Sequence, residues 1–189
     1  MLIDVRACGI TFPDVLVIED RYQSRPPRPF APGSEVSGVI KAVGDGVTAF
    51  KVGDRVAGNC SFGGLAEVVR TEPHRLFSMP DAMPYDEGAA FLLAYGTSYY
   101  ALKWRGRLKP GETVLVLGAA GGVGIAAIEI GKALGARVIA ACSTQEKLDF
   151  ARSVGADGGI LYPRGALDRD AQKALSEQFR SACGPKVAA

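Results

Sequence analysis

The feature that most constrains the fold of this chain is a short run that holds four glycines. The run reads Gly118-Ala119-Ala120-Gly121-Gly122-Val123-Gly124. Residues 113–117 before it are apolar on both faces, which is typical of a buried parallel strand. Residues 122–134 contain no proline and are mostly Ala, Ile, Leu and Val, which predicts a helix that ends at Gly135. The run is therefore predicted to form a strand-to-helix turn.

A glycine-rich turn of this kind can bind an anion. Glycine lets the backbone bend sharply, and without a Cβ a pyrophosphate can reach the amides at the helix N-terminus. A second apolar run at 137–141 supplies the βαβ setting that the motif requires. We therefore predict a dinucleotide site formed by Gly118, Ala119, Ala120, Gly121, Gly122, Val123 and Gly124.

The residues after the second predicted strand indicate which dinucleotide binds. A site for NAD places an Asp or Glu there, about 20 residues beyond the glycines, on the ribose 2′-hydroxyl. This chain has no acid at that strand end, and Ser143, Thr144 and Lys147 could instead bond a 2′-phosphate. This favours NADPH. In the alternative interpretation Ser143 and Glu146 form a helix capping box and Lys147 is a solvated surface residue.

Composition excludes several other classes of protein. With 189 residues, 48% of them hydrophobic and 22% charged, and a net charge of +2, the chain is typical of a globular protein of one or two domains. We expect no nucleic-acid partner and no membrane partner. No run of about 18 apolar residues and no signal peptide is found, so a cytoplasmic location is expected. Four dispersed cysteines and the lone His74 predict neither a disulfide framework nor a metal site.

The remaining elements follow from hydrophobic patterning. Many short β runs separated by glycine turns predict a small barrel-like first domain, with strands at 2–7, 34–43, 55–57 and 65–69. Val15-Leu16-Val17-Ile18 is a short apolar run that the pattern does not assign to either class. Beyond it we predict one or two helices over 86–104, then helix 145–154, strand 158–162 and a final helix over 171–182 that ends at Gly184-Pro185.

Several motifs together resemble a known family. They are Ala7-Cys8-Gly9-Ile10, Pro32-Gly33-Ser34-Glu35, residues 50–56, Gly96-Thr97-Ser98-Tyr99-Tyr100, the glycine run and residues 147–162. With this domain order the chain resembles the medium-chain dehydrogenase/reductase superfamily, specifically its zinc-free, zeta-crystallin-like quinone oxidoreductases. The resemblance implies an α/β chain in which a GroES-like β-rich barrel domain over 1–90, lacking its first strands, precedes a partial Rossmann domain over 91–189.

The resemblance also implies roles for single residues. Thr11 and Ser34 stand where the zinc branch has a Cys and a His, so no zinc is expected. Thr11 and Tyr22 fall on positions of the substrate site. In the quinone branch an Asn is common at the position of Thr11. Tyr22 is equally well interpreted as a surface residue. Three further residues, Thr97, Lys147 and Tyr162, fall on cofactor positions, the last two on the 2′-phosphate. No catalytic acid or base is assigned.

The implied activity is transfer of a hydride from NADPH to a quinone or similar conjugated carbonyl. The alternatives are reduction of the carbon-carbon double bond of an enal, enone or enoyl thioester, and a nucleotide-binding module without turnover. We expect a small-molecule electrophile as the partner and a homodimer at full length.

Family members are much longer than 189 residues, and the resemblance therefore predicts an incomplete chain. The strand at 113–117 would then lie at a sheet edge, and the isolated chain is expected to be poorly soluble or to associate through this edge. Because residues that orient the nicotinamide would be missing, we expect quinone turnover to be at least about a hundredfold slower than in a complete relative.

Overall fold

The structure is a computed structural model that describes residues 1–184. It divides the chain into two compact units, Met1–Leu93 and Ala94–Ala189. Within residues 1–184 no helix is long and apolar enough to cross a membrane. Pro185, where the last helix was predicted to end, lies outside the described residues.

The first unit is built on a five-stranded antiparallel sheet with the strand order β4-β1-β2-β3-β5. Its core contains the buried side chains of Ile3, Val36, Ile40 and Val56, which project from the three central strands. The elements are β1 (Leu2–Gly9), α1 (Phe12–Ile18), β2 (Glu35–Ala42), β3 (Arg55–Asn59), β4 (Val68–Arg70), a 3-10 turn (Pro73–Arg75), β5 (Leu76–Ser78) and α2 (Tyr85–Phe91).

The register of β1 on β2 fixes where the first unit gathers its polar residues. Gly9 pairs with Glu35 and Cys8 pairs with Val36, so the end of β1 lies beside the start of β2. The segment after β1, which holds Thr11, and the segment before β2, which holds Ser34, therefore leave the sheet at the same edge.

In two segments of the first unit the structure adds to or corrects the secondary structure predicted from hydrophobic patterning. The unassigned apolar run at 15–18 lies in helix α1, whose N-terminal residue is preceded by Thr11 as N-cap. The strand predicted at 65–69 is wrong at its start, because β4 begins only at Val68. Residue 65 instead donates its N–H to the Pro32 carbonyl at 2.9 Å, so this segment pairs with a loop before it reaches the sheet.

The helical region predicted over 86–104 is helical throughout, but much of it is wound more widely than an α-helix. After α2 the backbone is π-helical over Leu92–Gly96, forms the short helix α3 (Thr97–Tyr99), and is π-helical again over Tyr100–Arg105. Hydrophobic spacing could not show this, because a change from 3.6 residues per turn depends on where the freed N–H groups find acceptors.

The second unit is a three-stranded parallel sheet in the order β6-β7-β8 with connecting helices. This βαβαβ arrangement confirms the Rossmann-like half of the predicted fold, and β6 lies at an edge of the described sheet, as predicted. The elements are β6 (Thr113–Leu117), α4 (Gly122–Ala133), β7 (Arg137–Cys142), α5 (Gln145–Ser153), β8 (Gly158–Leu161) and α6 (Arg169–Cys183).

Apolar side chains cover both faces of the parallel sheet. On one face Val116 and Val138 pack in a cluster with Ile128 of α4 and residues of α5. On the other face Ile139 and Ile160 of the sheet pack against α6, which contributes Leu175, Phe179, Ala182 and Cys183. Burial on both sides explains why the strands are apolar without alternation, and it confirms the prediction that the final helix packs on the sheet.

Candidate functional site

The glycine run forms a tight turn at the end of β6. Gly118 has φ 62°, a left-handed conformation that residues with a Cβ rarely adopt. The N–H of Gly121 closes the turn on the Gly118 carbonyl at 2.9 Å, and the N–H of Ala119 donates to Ala141 of β7 at 3.2 Å. The turn is therefore fixed both internally and to the neighbouring strand.

Gly124 allows helix α4 to lie directly against this turn. A Cβ built at Gly124 would lie 2.6 Å from the Gly118 carbonyl oxygen and 2.7 Å from the Cα of Ala119. Both are backbone atoms that cannot rotate away. A glycine is thus required for close packing of the helix on the strand-to-helix turn.

The N-terminus of α4 faces open space. A Cβ built at Gly122 would meet no atom within 4 Å, and Gly121, the N-cap, offers no side chain to accept a hydrogen bond from the first turn. The first N–H groups of a 12-residue helix therefore have no side-chain cap and carry the positive end of the helix dipole. We call the turn and these N–H groups the cradle. Its positive, open end suits the pyrophosphate of a dinucleotide.

The other residues of the glycine run differ in burial and in contacts. Ala119 is fully buried and packs in the core, and its N–H already donates to the Ala141 carbonyl, so this residue fixes the turn rather than supplying a donor to a ligand. Ala120 is half-buried against the same core, whereas Val123 is 49% exposed. The buried Ser98 donates its hydroxyl to the Val123 carbonyl at 2.9 Å, which brings its exposed neighbour Thr97 to the turn. Ser98 lies in one of the motifs that carry the family resemblance, but no role was predicted for it.

The ends of β7 and β8 bring the predicted 2′-phosphate residues together. Cys142 pairs with Leu161, and the N–H of Tyr162 donates to the Cys142 carbonyl at 3.0 Å. Ser143 and Tyr162 therefore leave the sheet side by side at its carboxyl edge. Lys147 lies in the first turn of α5, which begins two residues after Ser143.

The capping-box interpretation of Ser143 is wrong. Thr144 is the N-cap of α5, and its Oγ1 accepts the N–H of Lys147 at 3.3 Å. The Ser143 hydroxyl instead accepts a hydrogen bond from Nε of Arg164 at 3.3 Å. The preceding residue was mistaken for the cap because two hydroxyl residues stand in succession.

In the first unit Thr11 is held by a buried carboxylate. The Thr11 hydroxyl and backbone N–H both donate to Oδ2 of Asp14, at 2.7 and 2.8 Å, and Asp14 is only 5% exposed. Since the hydroxyl has one proton and gives it to Asp14, it presents only lone pairs to any other group. The three-residue spacing of Thr11 and Asp14 is a signal by which the sequence could have shown this pair.

A small cavity of about 200 Å³ lies beside this pair in the first unit. Tyr22 lines it and is half-buried, so its side chain belongs to a pocket wall rather than to the open surface. Other residues that line the cavity are Asp14, Ser34, Asn59 and Leu93. The lining combines polar and apolar side chains, so the cavity can accept a small molecule with hydrogen-bonding groups.

Glu35 is the most deeply buried carboxyl group of the first unit, at 1% exposure. Its Oε1 accepts the N–H groups of Leu92 and Leu93, the latter at 3.2 Å, where the π-helical segment begins. Its Oε2 has no hydrogen-bond partner in the part of the chain that the structure describes. Burial is the main cause that raises the pKa of Glu35. Glu35 lies in one of the motifs that carry the family resemblance, but no role was predicted for it.

The thiols of Cys8 and Cys60 in the first unit are shifted towards their protonated form. Burial raises the pKa of Cys60 to about 11, and burial together with the charge of Asp14 raises the pKa of Cys8. Both groups are therefore protonated at neutral pH. Within residues 1–184 no group of three or more His, Cys, Asp or Glu side chains is placed to hold a metal ion.

Comparison with known proteins gives consistent matches to both units. The family model for the alcohol dehydrogenase GroES-like domain matches residues 1–81, and the model for zinc-binding dehydrogenase matches residues 122–188. The chain is 42% identical over 174 residues to quinone oxidoreductase-like protein 2 of Rattus norvegicus, an alignment that covers 92% of this chain and 49% of that protein. The chain thus spans about half the length of the curated relatives it matches.

Solved structures agree with these matches. The Escherichia coli quinone oxidoreductase complexed with NADPH superimposes with a TM-score of 0.85 at 31% identity, covering 96% of this chain and 53% of that one. The CurK enoyl reductase superimposes with a TM-score of 0.76 at 28% identity, covering 94% of this chain and 55% of that one.

Proposed function

The chain belongs to the quinone oxidoreductase branch of the medium-chain dehydrogenase/reductase superfamily, and from that premise we propose that it acts in NADPH-dependent reduction of a quinone or similar conjugated carbonyl. The observation that carries the proposal is the strand-to-helix turn with an open cradle, followed by a second strand end that has hydroxyl groups and a lysine but no acid.

Each part of the second unit has a task in this proposal. NADPH supplies the hydride, and the protein binds and orients it. The backbone N–H groups at the start of α4, in residues 122–124, hold the pyrophosphate, and residues 118–121 shape the turn that presents them. We place Thr97 at the same site because its neighbour Ser98 bonds to Val123. Ser143, Lys147 and Tyr162 bind the 2′-phosphate at the carboxyl edge of the sheet.

The first unit contributes to the site of the electron acceptor. We place Thr11 and Tyr22 there, the first as a hydrogen-bond acceptor locked by Asp14 and the second in the wall of the cavity. No residue is assigned as a general acid or base. We retain residues 1–90 as the substrate domain and residues 91–189 as the nucleotide-binding domain, with a cytoplasmic location and a homodimeric full-length protein.

Zinc independence is part of the proposal. The residues at the two positions that bind zinc in the alcohol-dehydrogenase branch are Thr11 and Ser34, and the only proton of the Thr11 hydroxyl is engaged by Asp14. A neutral hydroxyl is a poor zinc ligand compared with a thiolate or an imidazole. We expect elemental analysis to find well below about one zinc per chain, and a chelator to leave NADPH binding unchanged. Stoichiometric zinc that is lost together with binding would contradict this assignment.

Cofactor preference is tested by charge reversal at Lys147. Lys147→Glu places a carboxylate beside the 2′-phosphate and should weaken NADPH binding by roughly 1–3 kcal/mol, while NADH binding changes little. Titration of nucleotide fluorescence measures both affinities. Lys173→Glu on the exposed face of α6 is the matched control, because it makes the same change of net charge away from the site. Equal losses in the two variants would show that the effect is only long-range.

The substrate class is tested by comparing acceptors. With the complete protein we expect NADPH oxidation to be faster with 1,4-naphthoquinone than with a 2-alkenal. The structural similarity to an enoyl reductase favours double-bond reduction as the second candidate function, and the reverse order of rates would support it. NADPH binding without oxidation by any acceptor would instead support a binding module.

A further inference from the structure

We propose that Arg164 is a second cationic ligand of the 2′-phosphate and that Ser143 holds it in place. This inference rests on the proposed use of NADPH and names one more residue that sets the preference for NADPH over NADH. It stands on an observed contact, the hydrogen bond from Nε of Arg164 to Oγ of Ser143 at 3.3 Å.

The sheet brings Arg164 to the strand end where the predicted phosphate residues lie. Ser143 is the first residue after β7, and Arg164 follows β8 by three residues. Because β7 and β8 are parallel and Cys142 pairs with Leu161, the chain after β8 emerges beside Ser143. Lys147 approaches the same edge from the first turn of α5.

The hydrogen bond leaves the groups that recognise a phosphate available. A guanidinium has five N–H donors, so the use of Nε leaves four on its two terminal nitrogens, in a fork that fits two phosphate oxygens. Ser143 accepts through its oxygen and keeps its own O–H for donation. The Ser143–Arg164 pair thus offers donors to an anion, and the hydrogen bond between the two side chains favours that arrangement.

The charge on this pair is not neutralised by the protein. Within residues 1–184 no carboxylate lies within 4.0 Å of the charged group of Arg164 or Lys147, unlike three other cations of the second unit. Those three are paired: Lys132 with Asp157, Arg152 with Asp149 and Arg180 with Glu177. Two unneutralised cations at the strand end that holds the Ser143 hydroxyl suit a phosphate monoester, which carries nearly two negative charges at pH 7.

The test measures the ratio of two affinities in the complete protein. NADPH and NADH are titrated by fluorescence, and adenosine 2′,5′-bisphosphate and AMP are used as competitors. Arg164→Ala should raise the Kd of NADPH about tenfold and leave the Kd of NADH within about twofold, with a matching loss for the bisphosphate but not for AMP. Arg164→Lys, which keeps the charge but loses the fork, should lie between wild type and Arg164→Ala.

Two further variants separate recognition from folding. Arg169→Ala removes an exposed arginine at the start of α6 and should change neither Kd. Ser143→Ala keeps the guanidinium of Arg164 but removes the hydroxyl that holds it. This variant should raise the Kd of NADPH about threefold without a change in far-UV circular dichroism. A loss of affinity that is equal for NADPH and NADH, with a lower melting temperature, would indicate a structural role and overturn the inference.

The outcomes distinguish this inference from the proposed function. If the wild-type chain prefers NADPH and Arg164→Ala leaves that preference intact, the assignment of Arg164 is overturned and the proposed function stands. If the wild-type chain binds NADPH and NADH equally, or neither of them, both are overturned.

Discussion

Gly124→Ala is expected to abolish measurable NADPH binding, with a loss of at least about a hundredfold, and to destabilise the second unit by roughly 2–4 kcal/mol. The added Cβ would lie 2.6 Å from the carbonyl oxygen of Gly118 and 2.7 Å from the Cα of Ala119. Because these are backbone atoms, the helix must move away from the turn. The N–H groups of α4 would then no longer converge on the pyrophosphate. Urea unfolding and fluorescence titration measure the two effects.

Two other glycines supply controls that separate the cradle from the packing. Gly122→Ala places its Cβ in open space at the N-terminus of α4, so stability should change by less than about 0.5 kcal/mol while NADPH affinity falls. Gly44→Ala, in the first unit, also meets no atom within 4 Å and should alter neither quantity. If Gly122→Ala bound NADPH as tightly as wild type, the cradle would not be the pyrophosphate site.

Glu35→Ala is expected to destabilise the first unit by about 2–4 kcal/mol. The substitution removes the acceptor for the N–H groups of Leu92 and Leu93 and leaves a cavity where a fully buried side chain stood. Because these buried N–H groups cannot form hydrogen bonds with water instead, the free-energy cost of their desolvation is no longer offset. Urea unfolding followed by far-UV circular dichroism measures the loss. Glu67→Ala, at an exposed position, is a matched control that should lower the free energy of unfolding only slightly.

Glu35→Gln tests the pH dependence of this contact. Burial raises the folded-state pKa of Glu35 above its unfolded value, so its protonated form favours folding. Its favourable contribution is therefore complete below the unfolded pKa, about 4.3, and is lost as the pH rises through the folded pKa. The unfolding free energy of wild type minus that of Glu35→Gln should fall as the pH rises above about 4. A difference that increases with pH would show that the hydrogen bonds, which favour the charged form, outweigh burial.

Local pattern was sufficient for elements whose sequence signals lie within one continuous stretch of chain. Strand β6 and helix α4 were predicted to within a residue, because an apolar strand, a glycine turn and a helix free of proline have few other stable arrangements. The start of β4 at Val68 could not be predicted, since the preceding residues bond to a loop more than 30 positions away. Intrinsic β propensity carries no information on that pairing.

By itself the sequence determined the parallel sheet, the strand-to-helix turn and the missing acid after β7, because each depends on residues close together in the chain. Only the tertiary structure decided the partners of Glu35 and Arg164. The carboxyl of Glu35 binds N–H groups 57 and 58 residues away, and the guanidinium of Arg164 meets a hydroxyl 21 residues away. These contacts depend on which strands pair and in what register, and that is settled by burial of the whole core rather than by any local pattern.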